Sequence, residues 1–265
     1  MSMAMVAIFS LYYIKFMKNN KLAFTLVEMS IAISIIAFII GGVFIANNIK
    51  ETGKLHGFIK EIDTIKAALV SFKSIYGYYP GDFPGASNLW CSAACPGTSG
   101  VAANCVPGGA DGTTAGYCNG NGNGAWDYNG GLVDDERVRA WQHLSLAGLV
   151  PGSYTGVETT QWVNDSTNTF LSKVIPAAGY SFYNVHAYTG SINFAAIIGG
   201  AAAQVYSTAI FASPFVFKID NKIDDAIPNT GVTRATGVCA ISTTTPYTYD
   251  SAAASLCKIY YAFDG

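Results

Sequence analysis

The amino-acid sequence predicts an α+β protein in which the outer half of a long N-terminal helix packs on a C-terminal antiparallel sheet. Three observations lead to this fold class. A continuous apolar run occupies residues 24–46, apolar residues then recur every three or four positions up to Tyr76, and short aromatic and β-branched segments separated by glycines follow residue 170. These patterns are typical of a membrane-spanning helix, an amphipathic helix and antiparallel strands, respectively.

The composition excludes two broad classes of protein. Of the 265 residues, 51% are hydrophobic and only 12% are charged, whereas an intrinsically disordered chain is poor in apolar residues and rich in charge. The 15 Lys and Arg residues do not exceed the 17 Asp and Glu residues. Because no basic surplus is available to neutralise phosphates, we expect no nucleic-acid partner.

The apolar run over residues 24–46 is long enough to cross a bilayer. As a helix, its 23 residues rise by about 34 Å, which exceeds the ~30 Å hydrocarbon core. Lys15, Lys18 and Lys21 precede the run, so the positive-inside rule places the N-terminus in the cytoplasm and the rest of the chain outside. Hydropathy alone would also fit an uncleaved signal anchor.

The residues just before and inside this run carry a more specific pattern. Residues 21–28, Lys-Leu-Ala-Phe-Thr-Leu-Val-Glu, resemble the processing site of type IV pilins and type II secretion pseudopilins. The resemblance implies that residues 1–23 are a leader, which a prepilin peptidase/methyltransferase removes between Ala23 and Phe24 before it methylates Phe24. The family usually has Gly before the cut, but we expect processing at the small residue Ala23. A leader that starts at Met17 would have the family's usual length, so Met17 is an alternative start.

Glu28 is the single charge in the apolar run. An ionisable residue within a membrane span is by default a functional-site hypothesis, and by resemblance this residue is the fifth of the mature chain. Our hypothesis is that its carboxylate pairs with the amine of Phe24 of a neighbouring subunit and sets the axial register of a growing filament. The partners implied are other pilin or pseudopilin subunits and an inner-membrane assembly platform.

The helix is expected to continue through residues 24–76. Gly77, Pro80 and Pro84 then end it. Its outer half has one apolar face, which consists of Leu55, Phe58, Ile59, Ile62, Ile65, Leu69, Phe72 and Tyr76.

The remaining residues, 77–265, are expected to form an exported globular head that begins with a Gly- and Cys-rich loop, residues 77–131. Loops of this length are usually functional or tied down, and six cysteines fit disulfides in an exported protein. One pairing joins Cys91 to Cys95, Cys105 to Cys118 and Cys239 to Cys257, although other connectivities remain open. Zinc is a weaker alternative because the chain has no Cys-x-x-Cys motif.

Within this loop, Asn119, Asn121, Asn123 and Asp127 imitate the first half of a calcium-binding loop. The second half does not match, because Gly130 stands where such a loop has Glu, so Asp127, Asp134, Asp135 or Glu136 would have to complete the shell. Asn-Gly repeats are also ordinary turn formers. Calcium is therefore one alternative, and the other is that the protein has no cofactor.

Further along the head, residues 134–144 predict a short helix on which His143 is a surface or hydrogen-bonded residue rather than a catalyst. Ser213 and Pro214 are typical of a helix start, with the serine as cap. Strands are predicted at Phe170–Ile175, Tyr180–Tyr188, Ile192–Ile198, Gln204–Phe211 and near Lys258–Phe263.

Taken together, these patterns and the resemblance imply a non-enzymatic, pilin-like structural subunit. The first hypothesis is a pseudopilin of a type II secretion system, anchored by one span in the bacterial inner membrane with its head in the periplasm or outside the cell, and part of a filament after assembly. A minor type IV pilin with an adhesive or competence role is an alternative. A membrane-anchored exported enzyme is another, although no Gly-x-Ser-x-Gly, His-Glu-x-x-His or phosphate-loop motif is present.

Overall fold

The computed structural model describes residues 25–90, 119–127, 136–156, 165–176, 178–185, 192–200, 208–241, 248–252 and 254–263. The helices are α1 (Leu26–Tyr76), α2 (Ala86–Trp90), α3 (Glu136–Leu146) and α4 (Ser213–Ile223). The strands are β1 (Phe170–Leu171), β2 (Gly179–Val185), β3 (Ile192–Gly199), β4 (Phe211–Ala212), β5 (Thr233–Gly237), β6 (Ala240–Ile241), β7 (Thr248–Tyr249) and β8 (Leu256–Ala262). The architecture is α+β, as predicted.

The chain divides into two compact units, Met1–Thr52 and Gly53–Gly265. In the first unit, the described residues form the first half of α1. The second unit contains the outer half of α1 together with the other helices and all the described strands.

The main sheet is antiparallel and is built around β8. This strand pairs with β3, β4 and β5, while β2 pairs with β3 and β1 with β2. The register places Ala196 of β3 and Thr233 of β5 both opposite Tyr261 of β8. A separate two-stranded ladder joins β6 to β7. The prediction of a C-terminal antiparallel sheet is thus confirmed.

The first predicted strand is shorter in the structure than in the sequence analysis. It was expected to reach Ile175 but ends at Leu171. Ser172 is the reason, because its Oγ accepts hydrogen bonds from the backbone N–H groups of Val174 and Ile175 and so closes a turn. Of the strand predicted at Gln204–Phe211, residues 204–207 lie outside the described residues; residues 208–210 are not in a strand, and β4 covers Phe211–Ala212.

Two features near the C-terminus depart from the sequence analysis. Strand β5 was not predicted, because its sequence, Thr-Arg-Ala-Thr-Gly, lacks the large apolar residues that mark a strand. Helix α4 does begin at Ser213, but its N-cap is Ala212 rather than the serine. Ala212 has extended backbone angles and makes no side-chain capping bond, while Pro214 lies in the first turn.

The outer half of α1 packs on the sheet through one apolar face. Buried side chains on this face recur every three or four residues: Phe58, Ile62, Ile65, Ala68, Leu69 and Phe72. The ring centroid of Phe58 lies 6.0 Å from that of Tyr180 in β2 and 5.6 Å from that of Phe211 in β4. Burial of this face removes a continuous apolar stripe from water, which is the main stabilising contribution to such packing.

One carboxylate on the neighbouring face of α1 adds a polar tie to the head. Glu61 accepts hydrogen bonds from Ser172 Oγ (2.6 Å), the backbone N–H of Lys173 (2.9 Å) and Tyr180 Oη (3.0 Å). Because all three donors come from residues far along the chain, Glu61 ties the outer half of α1 to β2 and to the loop that joins β1 and β2.

Helix α1 ends where the sequence predicts. Gly77 has φ of 78° and its N–H donates to Lys73 O at 2.9 Å, which is the arrangement of a left-handed helix cap. Beyond it, Gly81 N–H donates to Nδ1 of the buried His143 at 2.9 Å. His143 is thus a hydrogen-bonded residue of α3 that positions the helix exit.

Candidate functional site

The described part of the chain begins next to the predicted processing site. Ala23 and Phe24 lie outside the described residues, whereas Thr25 and Glu28 lie at the start of α1. The amide nitrogen of Thr25 belongs to the peptide bond with Phe24, so groups that bind it lie beside the predicted mature N-terminus.

Thr25 and Glu28 form a reciprocal pair of hydrogen bonds. The backbone N–H of Glu28 donates to Thr25 Oγ1 (3.2 Å), and the backbone N–H of Thr25 donates to Glu28 Oε2 (2.9 Å). The Thr25 hydroxyl also donates to Glu28 Oε2 (3.0 Å). This is a capping box, in which Thr is the N-cap and Glu the third helical residue, and it satisfies backbone N–H groups that a helix start leaves without partners.

The capping box determines where the negative charge lies. It holds the Glu28 carboxylate at the N-terminal end of α1, where the helix dipole favours an anion, and within hydrogen-bonding distance of the amide that follows Phe24. Cleavage before Phe24 would create a cationic amine at the same end of the helix. The sequence analysis identified Glu28 by its charge, but it did not identify Thr25 as the residue that positions this carboxylate.

The first half of α1 is apolar and its side chains are exposed. Phe38 is 83% exposed and Leu26 is 90% exposed, although such residues are normally buried in a water-soluble head. The hydroxyls of Ser30 and Ser34 donate to Val27 O and Ser30 O within the helix, so they carry no unsatisfied donor into an apolar medium. Among the described residues, one helix is long and apolar enough to cross a membrane, and it is α1.

The structure brings together three of the four predicted calcium ligands. Nδ2 of Asn121 and Nδ2 of Asn123 both donate to Asp127 Oδ2, at 2.8 and 2.5 Å. Asn119 is turned to other partners: its Oδ1 accepts from the backbone N–H of Ser87 at 2.8 Å. Asn119 therefore does not share a ligand set with the other three in this arrangement, and calcium binding by this loop stays a prediction.

Two carboxylates hold the same loop through its backbone amides. Asp82 accepts from the N–H groups of Asn123 and Gly124, both at 2.9 Å, and Glu136 accepts from those of Asn121 and Asp127, at 2.8 and 2.9 Å. The sequence analysis named Glu136 as one residue that could complete a calcium coordination shell in this loop. It missed Asp82, whose signal was its place in Pro-Gly-Asp just after the end of α1.

Glu136 is buried, and this changes its acidity. Burial raises the pKa of its carboxyl group to about 7, which outweighs the lowering by the N–H donors of Asp127 and Asn121. Asp82 is buried as well, and burial likewise raises the pKa of its carboxyl group despite the backbone N–H bonds from Gly124, Asn123 and Gly122. The loop therefore rests on two carboxyl groups that bind protons more readily than usual.

We expect the head to lose stability as the pH rises from about 4.5 to 7. Glu136 binds its proton more tightly in the native state than in the unfolded chain. The stability that protonated Glu136 contributes is therefore fully present below its unfolded pKa and is lost as the pH rises through its folded pKa of about 7. The upper bound on this loss is about 3 kcal/mol. This loss is measured by urea denaturation of the full chain in detergent micelles at pH 4.5–8, with the folded fraction at each urea concentration determined by pulse proteolysis.

Two variants serve as controls. Glu136→Gln should reduce the slope of unfolding free energy against pH, whereas replacement of the exposed Asp63 by Asn should leave this slope unchanged. An equal slope in Glu136→Gln and the parent chain would contradict the expectation.

A disulfide ties the C-terminal part of the head. Cys239, in the turn between β5 and β6, is bonded to Cys257 of β8, and their Cα atoms are 5.5 Å apart. This is the pairing that the sequence analysis favoured for these two residues. The other four predicted disulfide residues, Cys91, Cys95, Cys105 and Cys118, lie outside the described residues.

Comparison with known protein families finds a match on the N-terminal segment. Residues 18–44 match the family model of the prokaryotic N-terminal methylation motif, which is the prepilin motif of type IV pilins and pseudopilins. No curated protein and no solved structure matches the chain. The match confirms the resemblance drawn from residues 21–28. A motif of this type implies processing by a prepilin peptidase and assembly with other pilins.

Proposed function

We propose that this chain is a structural subunit of a type IV pilus-like filament, processed before Phe24 and polymerised through α1. The observation that carries the proposal is the coincidence of the methylation motif with an exposed apolar helix whose first turn holds one carboxylate. An apolar helix of this kind can occupy a bilayer before assembly and become buried against other such helices afterwards.

Within this proposal, the Glu28 carboxylate guides the addition of a subunit. In a medium of low dielectric constant an unpaired carboxylate is costly, and a cation at the same depth relieves that cost. The methylated amine of Phe24 on a neighbouring subunit is such a cation. Because this pair forms only when the two helices are at the correct axial offset, it selects one register.

More specifically, we propose a pseudopilin of a type II secretion system, which would work with an inner-membrane assembly platform. Support comes from the resemblance of the helix-exit segment, Tyr-Gly-Tyr-Tyr-Pro-Gly-Asp-Phe-Pro-Gly at 76–85, and of Trp-Gln-His-Leu at 141–144 to one branch of pseudopilin-like proteins. In this arrangement the head, which the disulfide and the Glu61 hydrogen bonds tie together, lies outside the membrane and contributes the outer surface of the filament.

Mass spectrometry of the N-terminal peptide tests the proposal. After co-expression with a prepilin peptidase, the chain should begin at Phe24 with an N-methyl group. Ala23→Gly restores the residue that the family usually has before the cut, and it should be processed at least as fast as the parent chain. A chain that still begins at Met1 or Met17 in both proteins would contradict the proposal and favour an uncleaved signal anchor.

A further inference from the structure

The Asn-rich loop contains three consecutive Asn-Gly steps, Asn119–Gly120, Asn121–Gly122 and Asn123–Gly124. A fourth, Asn129–Gly130, lies outside the described residues. In an Asn-Gly step the asparagine loses its side-chain amide readily, because glycine has no side chain to hinder the approach of its backbone nitrogen. The loop therefore carries a reactive pair at every second position, and its hydrogen bonds determine how fast each pair reacts.

The fold requires the glycines that create these reactive pairs. Gly122 and Gly124 have φ of 73° and 85°, in the left-handed region that favours glycine. At Gly120 a Cβ would collide with the backbone of Gly81 and Asp82. The turns of the loop, and its close approach to the segment that follows α1, thus depend on the same glycines that make the asparagines reactive.

The loss of the amide begins at the backbone nitrogen of the glycine. This nitrogen attacks Cγ of the preceding asparagine, so an N–Cγ bond forms, the Cγ–Nδ2 bond breaks, and the glycine amide proton leaves with the side-chain nitrogen as ammonia. Water then opens the resulting succinimide ring to give aspartate or isoaspartate. A glycine N–H held in a hydrogen bond keeps its proton, so the first step requires local opening, as amide hydrogen exchange does.

The three glycine amides are all hydrogen-bonded to the segment that follows α1. Gly120 N–H donates to Phe83 O at 2.8 Å. Asp82 accepts the other two, from Gly122 through its backbone O at 3.0 Å and from Gly124 through Oδ2 at 2.9 Å. Two of the three acceptors are backbone carbonyl groups, so the Asp82 carboxylate is the single side chain on which one of these bonds depends.

The asparagine side chains that precede Gly122 and Gly124 are restrained as well, although both are exposed. Asn121 Oδ1 accepts from the backbone N–H of Asn123, and Asn123 Oδ1 accepts from that of Ala125, both at 2.9 Å. Attack on Cγ at either position therefore requires release of the side chain and of the following glycine amide together.

We propose that this loop is a latent deamidation site, which the Asp82 carboxylate keeps closed by binding the Gly124 amide. When this bond opens, Asn123 reacts. The product has a second carboxylate in place of the Nδ2 group that donates to Asp127, and repulsion between the two carboxylates opposes renewed closing of the loop. The inference concerns only the folded head, so it does not depend on the proposed filament function.

Peptide mapping of the full chain, incubated at pH 8 in detergent micelles, tests the proposal, because fragment-ion mass spectrometry measures conversion at each asparagine separately. The reference is a synthetic peptide of residues 119–127 with blocked ends in the same buffer. Each asparagine should convert about tenfold or more slowly in the folded chain than in the peptide, since reaction waits for local opening.

Asp82→Ala removes the acceptor of the Gly124 amide and keeps the backbone carbonyl that binds Gly122. Conversion of Asn123 should become about fivefold faster or more, in line with the loss of one hydrogen bond to a charged group, while Asn119 and Asn121 keep the parent rates. This selectivity separates the loss of one bond from unfolding, which would accelerate all three.

Two further variants complete the experiment, and pulse proteolysis checks that each is folded. Asp63→Asn removes an exposed carboxylate of α1 and should keep all the parent rates. If Asp82→Ala does not fold, Asp82→Asn takes its place, because Asn keeps one acceptor oxygen but cannot bind the loop through two. The proposal is overturned if the parent chain converts as fast as the peptide, or if a folded Asp82 variant accelerates either none of the asparagines or all three equally.

Discussion

Replacement of Glu28 by alanine is expected to abolish incorporation of the subunit into filaments while cleavage before Phe24 continues. The substitution removes the single carboxylate of the apolar segment, and with it the partner proposed for the Phe24 amine of a neighbouring subunit. Cleavage should persist because the residues on both sides of the cut are unchanged. The measurement is the ratio of sheared filament fraction to membrane fraction, with the N-terminus of each checked by mass spectrometry.

The capping box gives Glu28 a second role that can be tested separately, because Glu28→Ala also removes a hydrogen bond to the Thr25 amide. Glu28→Gln retains an acceptor for that amide, since Gln can replace Glu in a capping box, but it has no charge. Thr25→Ala removes the capping hydroxyl and keeps the charge. If the charge directs assembly, Glu28→Gln should fail as Glu28→Ala does, and Thr25→Ala should assemble.

The opposite pattern would contradict the proposed role of the charge. Normal assembly of Glu28→Gln, together with failure of Thr25→Ala, would show that the order of the first helical turn matters and that the ion pair does not. Normal assembly of Glu28→Ala itself would exclude both roles. Each result is interpretable only in chains whose mature N-terminus is Phe24, because an unprocessed leader would block assembly by itself.

The parts of the fold that sequence could predict depend on neighbours within one or two helical turns. The end of α1 follows from Gly77, which adopts the left-handed conformation that terminates a helix. The buried face of its outer half follows from the recurrence of Phe58, Ile62, Ile65 and Leu69 at helical spacing. Charge and motif likewise identified Glu28, because its signal is contained in eight consecutive residues.

The features that sequence could not predict depend on contacts between distant residues. Strand β5 exists because Ala235 pairs with Ile259 of β8, and nothing in its own apolar content distinguishes it from a loop. Asp82 is bonded to backbone amides about forty residues later, which no local pattern reveals. The burial of Asp220 is a further example, since it depends on how α4 packs against β7, whose Tyr249 donates a hydrogen bond to Asp220.

Replacement of Trp141 by alanine should cause the largest loss of stability among single substitutions in α3. Trp141 is 0% exposed, and the centroid of its ring lies 4.5 Å from the ring centroid of Phe182 in a stacked arrangement. Its Nε1 donates to Tyr180 O at 2.9 Å, so the side chain joins α3 to β2 by both packing and a hydrogen bond. Truncation of a buried tryptophan to alanine costs about 3–5 kcal/mol, a large part of the total stability of a typical domain.

A series of variants separates the two contributions of Trp141. Trp141→Phe keeps a ring against Phe182 but leaves Tyr180 O without its donor, so we expect a smaller loss, of about 1–3 kcal/mol. Leu89→Ala, at a position that is 56% exposed, serves as the control and should change stability by less than about 0.5 kcal/mol. Pulse proteolysis of the full chain in urea measures all three without relying on tryptophan fluorescence. The prediction is contradicted if Trp141→Ala shifts the urea midpoint of unfolding no further than Leu89→Ala does. Such a result would show that packing of α3 on the sheet contributes little to stability, and that the hydrogen bond from Gly81 to His143 does not tie the end of α1 to the sheet through Trp141.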